Sequence, residues 1–319
     1  MGKKLIACVF SDLHIHNYNQ YNPDSRRLHL KFDIIGELVK LEVPILFCGD
    51  FFHEDQQITN KVLDECSKRL PNMFGERSPL YGISGNHDMS DTNSTKLKSP
   101  SLFSSICRLI PNMFDIDFNK VVLRRGINVY GLPYLSYNIG FKDYIKNLNV
   151  NPGDKNILLI HTDLHGAKDT DGRLINSVDN IDKDMVDFFD KFDLVLSGHI
   201  HKPQIINPKL IMVGAPDQQR KSDMGGKFGF WELYSDMTYE FVRLKFPEFR
   251  EYDPAKDKTD DFHYWVPINS DKQDDIFFEE KRFTNNVSRN ILAKRYCNEK
   301  GIKDKKKIKA LKEVLNDKV

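Results

Sequence analysis

Apolar runs alternate with amphipathic stretches along the first 245 residues of the chain. Continuous apolar runs are typical of buried strands, whereas apolar positions three and four residues apart indicate helices that pack on one face. We predict strands at 5–11, 44–49, 79–84, 127–132, 156–161, 194–197, 210–214, 227–234 and 239–246. We predict helices at 24–41, 56–70, 100–109, 141–148 and 182–191. This order of elements predicts an α/β sandwich in which helices cover two central sheets.

The pattern changes near residue 247, where clear periodicity ends. Residues 247–275 are acidic and contain three prolines, so we interpret them as a linker or an irregular cap. Two amphipathic helices are predicted beyond it, at 284–299 and 303–317. We therefore divide the chain into a main domain (1–246), an acidic linker or reduced capping segment (247–283) and a basic helical pair (284–319).

Charge is distributed unevenly, although the whole chain has a formal net charge of only +1. Residues 281–319 contain 13 basic and 4 acidic side chains, whereas residues 246–280 contain 4 basic and 11 acidic ones. A basic end of this kind suits a polyanion or an acidic partner surface. A solvated lysine-rich helix explains it equally well.

The five cysteines are scattered and form no paired motif. No apolar run approaches the length of a membrane span. We therefore expect a cytoplasmic protein without a membrane partner.

Five short polar clusters each follow an apolar run that predicts a strand. Strands of an α/β sheet end together at one edge, so the side chains that follow them converge there. We expect the glycines just before Asp50, Asn86 and His199 to let the backbone turn sharply as each strand ends. The clusters are Asp12-Leu13-His14, the segment 49–53, Gly85-Asn86-His87-Asp88, His161, and Gly198-His199-Ile200-His201.

The clusters supply carboxylates, imidazoles and one amide oxygen, but no cysteine. This donor set suits Mn²⁺, Fe²⁺ or Zn²⁺ better than cations that prefer all-oxygen ligands, and the lack of cysteine disfavours a structural zinc site. Two cations about 3.5–4 Å apart, bridged by a carboxylate such as Asp50, can activate water and clamp a phosphate. His161 has a rival in His165, but His161 directly ends an apolar run, so we favour it.

In their order, D-x-H, G-D-x-x-H, G-N-H-D, H and G-H-x-H, the clusters resemble the calcineurin-like metallophosphoesterase superfamily. The resemblance extends from about residue 5 to residue 235. It implies an α/β sandwich of two sheets flanked by helices, with a small C-terminal extension, and a hydrolase that uses two divalent metal ions. By resemblance, the first metal is bound by Asp12, His14, Asp50 and His201, and the second by Asp50, Asn86, His161 and His199.

The resemblance also assigns roles to two residues that follow Asn86. His87 resembles the histidine that stabilises and protonates the leaving oxygen. We expect Asp88 to orient His87 through a carboxylate–imidazole hydrogen bond.

Three features resemble, more narrowly, the SbcD family of DNA repair nucleases and its phage counterparts. The segment 49–53 reads Gly-Asp-Phe-Phe-His, and in that branch the histidine at the place of His53 positions DNA. Residues 18–27 and 213–220 resemble the family's first loop and its closing strand–loop–strand. The resemblance implies a Mn²⁺-dependent DNA exonuclease and endonuclease whose C-terminal helices bind an SbcC-like coiled-coil ATPase.

Several questions stay open at this point. Arg26, Arg220 and Lys221 flank the predicted cleft and are candidate phosphate contacts, although structural salt bridges explain them equally well. The capping segment is short for a protein that must grip duplex DNA. The main alternative is a phosphodiesterase or phosphomonoesterase acting on small nucleotides, with the C-terminal helices forming a homodimer. Fe²⁺, Zn²⁺ and Mg²⁺ are alternatives to Mn²⁺. An inactive scaffold is disfavoured, because every ligand is present.

Overall fold

The computed structural model describes residues 2–17, 26–53, 58–89, 101–124, 126–135, 141–169, 172–175, 187–253, 257–258 and 263–267. The chain divides between residues 268 and 269, and every described residue lies in the first part. The predicted helical pair at 284–319, and most of the loop at 18–27, therefore lie outside the described residues. Each helix in the described ranges is too short or too polar to cross a membrane.

The described residues form the following elements. The strands are β1 (Leu5–Phe10), β2 (Ile45–Phe47), β3 (Leu80–Gly82), β4 (Met113–Asp115), β5 (Lys120–Arg124), β6 (Ile127–Leu132), β7 (Lys155–His161), β8 (Leu194–Gly198), β9 (Gln204–Asn207), β10 (Leu210–Met212), β11 (Gly229–Tyr234), β12 (Tyr239–Arg243), β13 (Phe249–Tyr252) and β14 (Tyr264–Pro267). The helices are α1 (Arg26–Val39), α2 (Asn60–Arg69), α3 (Leu102–Cys107) and α4 (Phe141–Asn147).

Two mixed sheets of six strands form the centre of the fold. The first has the order β12-β11-β1-β2-β3-β4 and the second the order β5-β6-β7-β8-β10-β9. Strands β1 to β4 are parallel in the first sheet, and β6, β7, β8 and β10 are parallel in the second. The polar clusters follow β1, β2, β3, β7 and β8, so each sheet delivers its clusters at the carboxyl ends of parallel strands.

Successive side chains of a strand point to opposite faces of the sheet, so the apolar side chains pack in separate layers. In β1, Cys8 and Phe10 join a buried cluster that includes Phe32 of α1, whereas Ala7 and Val9 join a cluster with residues of the second sheet, such as Leu159. A third buried cluster packs α4 against the outer face of the second sheet. The layers are therefore helix, sheet, sheet and helix, which confirms the predicted α/β sandwich.

The structure contains strands that the sequence pattern did not predict. Strands β5 and β9 lie at the two edges of the second sheet. β5 alternates exposed and half-buried residues and β9 is only partly buried, so their apolar residues are few and lack the burial of the central strands. Within the segment predicted to be irregular, β13 and β14 pair in parallel as a separate two-stranded sheet.

Candidate active site

The loops after β1 and β2 run side by side and bring the first two clusters together. The backbone N–H of Asp12 donates to Gly49 at 2.9 Å, and that of His14 donates to Asp50 at 3.0 Å. The N–H of His53 donates to Ile15 at 3.2 Å. These bonds continue the parallel pairing of β1 and β2 past the sheet, so the polar side chains of both loops share one surface.

The ligand candidates themselves make the sharp turns at the strand ends. Asp12, His14, Asp50 and His199 have φ angles of 53°, 51°, 61° and 85°, in the left-handed region that non-glycine residues rarely adopt. Such backbone strain is concentrated at functional sites. Among the glycines of the clusters, Gly49 has the expected turn conformation, with φ of 98°.

Two other glycines are required because a side chain would not fit at their positions, not because φ is positive. A Cβ atom on Gly85 would lie 2.1 Å from Asp50 Oδ1, and one on Gly198 would lie 2.1 Å from Ser11 Oγ. Both distances are far below van der Waals contact. These glycines therefore let the ends of β1, β2, β3 and β8 approach closely enough for their side chains to meet.

The structure brings together all seven side chains predicted to bind metal. Six of them form two groups of three, and within each group the ligand atoms all lie within 4.8 Å of one another. Asp50 lies between the groups, because its Oδ2 is 3.8 Å from His14 Nε2 and 3.2 Å from His161 Nε2. This position suits a bridging carboxylate. The groups are Asp12, His14 and His201, and Asp50, His161 and His199.

Asn86 completes the second group. Its Oδ1 lies 3.1 Å from His161 Nε2 and 3.0 Å from His199 Nδ1. The geometry thus favours His161 over His165 as the ligand candidate, because His165 belongs to none of the groups found among the described residues.

The charges of the site fit divalent cations. Asp12 and Asp50 are almost fully buried, so a cation between them would replace lost hydration. Burial raises the pKa of Asp50, but His161 and His87 lower it by more, and the net pKa lies well below its usual range. Burial lowers the pKa of His161, but the Asp50 carboxylate outweighs it and raises this pKa to about 9. Positive charge is thus stabilised where the second metal would bind.

Residues 7–203 match the family model described as calcineurin-like phosphoesterase. The match spans more than half of the chain and includes every residue of the two metal groups. The chain belongs to the calcineurin-like phosphoesterase family. It is therefore a metal-dependent phosphoester hydrolase, and its family binds two divalent metal ions.

Two solved structures align with this phosphoesterase at low similarity. One has 11% sequence identity and a TM-score of 0.46, covering 76% of this chain and 99% of the other. The other is a crystal structure of TT1561 of Thermus thermophilus, with 10% identity and a TM-score of 0.41, covering 76% of this chain and 100% of the other. Neither likeness bears on what the phosphoesterase does.

Three histidines of the two metal groups each have one ring nitrogen near a carbonyl or carboxylate oxygen that is not itself a ligand candidate. His161 Nδ1 lies 2.7 Å from the carbonyl oxygen of Cys48. His199 Nε2 lies 3.7 Å from Asp163 Oδ1, and His201 Nδ1 lies 3.8 Å from Asp223 Oδ2. Such partners orient metal-binding imidazoles. Asp163 and Asp223 were not predicted from the sequence. Asp163 could have been noticed two residues after His161, but nothing local marks Asp223.

His53 and His87 lie beside these two groups, and with His14 they form a third group whose ligand atoms lie within 4.8 Å of one another. Their rings are stacked at 4.9 Å with an interplanar angle of 12°. His87 Nδ1 lies 3.1 Å from the carbonyl oxygen of His53, and His53 Nδ1 lies 3.1 Å from His14 Nδ1. Burial and neighbouring His87 lower the pKa of His53 to about 3, so its imidazole is neutral.

The predicted hydrogen bond between Asp88 and His87 is wrong. Asp88 Oδ2 accepts the N–H groups of Asp50, Phe51 and Gly85, and Oδ1 accepts that of Phe52. Its carboxylate is saturated by backbone donors, and His87 Nδ1 instead meets the carbonyl of His53. Asp88 therefore holds the loop that carries Asp50 rather than the ring of His87.

The candidate phosphate contacts differ in their surroundings. Arg26 begins α1, and its side chain lies outside the described residues. Lys221 Nζ is 3.9 Å from Glu251 Oε1, which favours the salt-bridge interpretation. Arg220 is half-buried, and its N–H donates to Asp223 at 3.1 Å. Contact of these three residues with substrate stays a prediction.

Proposed function

We propose that this phosphoesterase is a DNA exonuclease and endonuclease of the SbcD type, with Mn²⁺ as its metal. The observation that carries the proposal is the position of His53. It is half-buried, it lies against both His14 and His87, and it belongs to neither of the groups that contain Asp12 and Asp50, although with His14 and His87 it forms a third group that has no carboxylate. A substrate contact placed beyond the leaving-group histidine suits a polymer that continues past the scissile phosphate.

The residues around the phosphate have distinct tasks in this proposal. When bound, the two cations supply an activated water and neutralise charge on the phosphate. Asn86 Oδ1, which lies 3.1 Å from His161 Nε2 and 3.0 Å from His199 Nδ1, would hold the second cation together with these two imidazoles. His87 is a general acid that can give a proton to the departing sugar oxygen. Its backbone N–H donates to Asp50 Oδ1 at 2.8 Å, which ties the acid to the bridging carboxylate.

The proposal extends to a protein partner. Residues 281–319 carry the basic charge described above, and we assign them to binding an SbcC-like coiled-coil ATPase in the cytoplasm. Only the sequence supports this part, because residues 269–319 lie outside the described residues.

The test compares a polymer with a small diester, using the full chain and Mn²⁺. The wild type should release nucleotides from linear duplex DNA and hydrolyse bis(p-nitrophenyl) phosphate. His53→Ala should lose about tenfold or more on DNA while keeping most small-diester activity, because a positioning contact is missing. His87→Ala should lose about 10²–10⁴-fold on both substrates while still binding two Mn²⁺.

His29→Ala is the matched control, because His29 lies in α1 beside Glu65 and Arg69 rather than in the site. It should leave both activities unchanged. If the wild type hydrolyses the small diester or cyclic nucleotides but releases nothing from DNA, the small-nucleotide alternative is correct. If His53→Ala loses both activities equally, His53 serves the chemistry rather than the polymer.

A further inference from the structure

A buried carboxylate outside the predicted clusters lies beside one of the metal-group histidines. Asp223 is fully buried in the segment that follows β10. Its Oδ2 accepts the backbone N–H of Gln219 at 2.9 Å and that of Arg220 at 3.1 Å. The same oxygen lies 3.8 Å from Nδ1 of His201. The carboxylate is therefore anchored by the backbone and faces the ring of a metal-group residue.

Two atoms at this contact are buried without a hydrogen-bond partner among the described residues, Asp223 Oδ1 and His201 Nδ1. Leaving a buried donor or acceptor unsatisfied is unfavourable. A small rotation of the His201 ring would let its Nδ1–H donate to the carboxylate. That bond would place the proton on Nδ1 and leave Nε2 as the ligand atom on the side of Asp12 and His14.

The segment that carries Asp223 also supports Asp12. Gln219 Nε2 donates to the carbonyl oxygen of Asp12 at 3.3 Å and to Asp217 Oδ1 at 2.8 Å. Lys31 Nζ of α1 donates to both Asp217 oxygens, at 2.7 and 2.8 Å, and to Gln219 Oε1 at 3.1 Å. The segment thus contacts two of the three members of the first metal group and is anchored to α1.

This buried ion pair is difficult to explain by stability alone. Lys31 and Asp217 are both buried, and replacing such a pair by packed apolar residues is often neutral or stabilising. A buried pair can instead fix one conformation of the segment. A rigid segment is what an outer carboxylate needs if it is to hold an imidazole in one orientation.

From these contacts we infer that Asp223 is a positioning residue of the metal centre, which orients His201 so that Nε2 faces the cation shared with Asp12 and His14. The inference applies to whichever phosphoester is the substrate. It is tested by metal binding, so its failure and the failure of the DNA proposal are distinguishable.

The experiment titrates Mn²⁺ into the metal-free full chain by isothermal calorimetry. We expect two ions in the wild type. Asp223→Ala should weaken one ion by about 10–100-fold and leave the other nearly unchanged, which is the usual effect of losing an outer partner. Asp223→Asn should weaken it by a smaller factor of about three to ten, because an amide oxygen can still accept from Nδ1–H.

Asp193→Asn is the matched control. Asp193 also accepts a backbone N–H, from Asn156 at 2.8 Å, but it lies at the end of β7 opposite to His161. This variant should bind both ions as the wild type does. In a His201→Ala background, Asp223→Ala should not change the remaining ion further, because Asp223 acts through His201.

Wild-type affinity for both ions in Asp223→Ala would overturn the inference. Equal weakening of both ions would also overturn it, since that result indicates general damage to the fold. If Asp223→Ala does not fold, unchanged affinity for both ions in Asp223→Asn overturns the inference in the same way.

Discussion

Asp88 offers a sharp test of how the metal site is built. Its two oxygens accept four backbone N–H groups, three from the loop after β2 and one from Gly85. The N–H···O distances are 2.9 Å to Asp50, Phe52 and Gly85, and 3.2 Å to Phe51. Removing the carboxylate should therefore release the loop that positions Asp50.

The magnitude follows from how many donors lose their acceptor. In Asp88→Asn, the amide oxygen can replace Oδ2 and keep three bonds, but the amide nitrogen then faces the N–H of Phe52. One stranded buried donor costs about 1–3 kcal/mol. Asp88→Ala strands all four donors, so at about 1 kcal/mol each we expect a loss of about 4 kcal/mol or more.

The assay is equilibrium unfolding of the metal-free protein in urea. Burial and the charge of Asp50 raise the pKa of Asp88 to about 7, so the comparison belongs above that pH, where the carboxylate is ionised. Asp193→Asn serves again as the control, because the Asp193 carboxylate also accepts a backbone N–H. If Asp88→Asn unfolds like the wild type but loses turnover, Asp88 acts on His87, and its assignment to the loop after β2 is refuted.

Two further predictions concern a close approach and a buried proton. Gly198→Ala should destabilise the fold by about 3 kcal/mol or more, because its Cβ would lie 2.1 Å from Ser11 Oγ, and catalysis should fall with it. Gly36→Ala in α1 should instead stabilise by about 0.5–1 kcal/mol, because the added Cβ would meet no atom within 4 Å outside the backbone around it, and denaturant unfolding measures both changes. Burial lowers the pKa of His161 but Asp50 raises it from 6.5 to about 9, so its contribution to stability is present below pH 6.5 and lost as pH rises through 9. The metal-free protein should lose about 3 kcal/mol over that range, and Mn²⁺ binding at pH 8 should release a proton, measurable by calorimetry in two buffers; a flat profile with no proton release would contradict this assignment.

Central strands could be predicted from the sequence because burial on both faces leaves a local signal. The predicted bounds of β6 match the structure, and those of β7 differ by one residue. Edge strands such as β5 and β9 lack this signal, because their pairing rather than an apolar run makes them strands. The ligand candidates could be found for a related reason: each belongs to a cluster that follows a buried strand.

The outer parts of the site could not be predicted, because they depend on contacts between distant segments. Gln219 reaches the carbonyl of Asp12 across 207 positions of sequence, and no spacing rule indicates such a pair. The prediction for Asp88 failed for the same reason. Its place next to His87 suggested a carboxylate–imidazole bond, but the backbone donors of another loop lie within its reach. Adjacency in sequence does not decide between these partners.

The positive φ angles of four ligand candidates indicate that the protein backbone shapes the site without metal. Asp12, His14, Asp50 and His199 all have positive φ, and each such residue costs about 1–3 kcal/mol. That strain persists only where the surroundings fix the conformation. Here the N–H groups of Asp12 and His14 bond to the β2 loop, and Asp88 binds the N–H of Asp50. The N–H of His199 points at Asp12, 3.2 Å from each carboxylate oxygen. Because these bonds are all within the protein, we expect the metal-free chain to fold with its ligands in place, so that metal ions complete the site rather than create it.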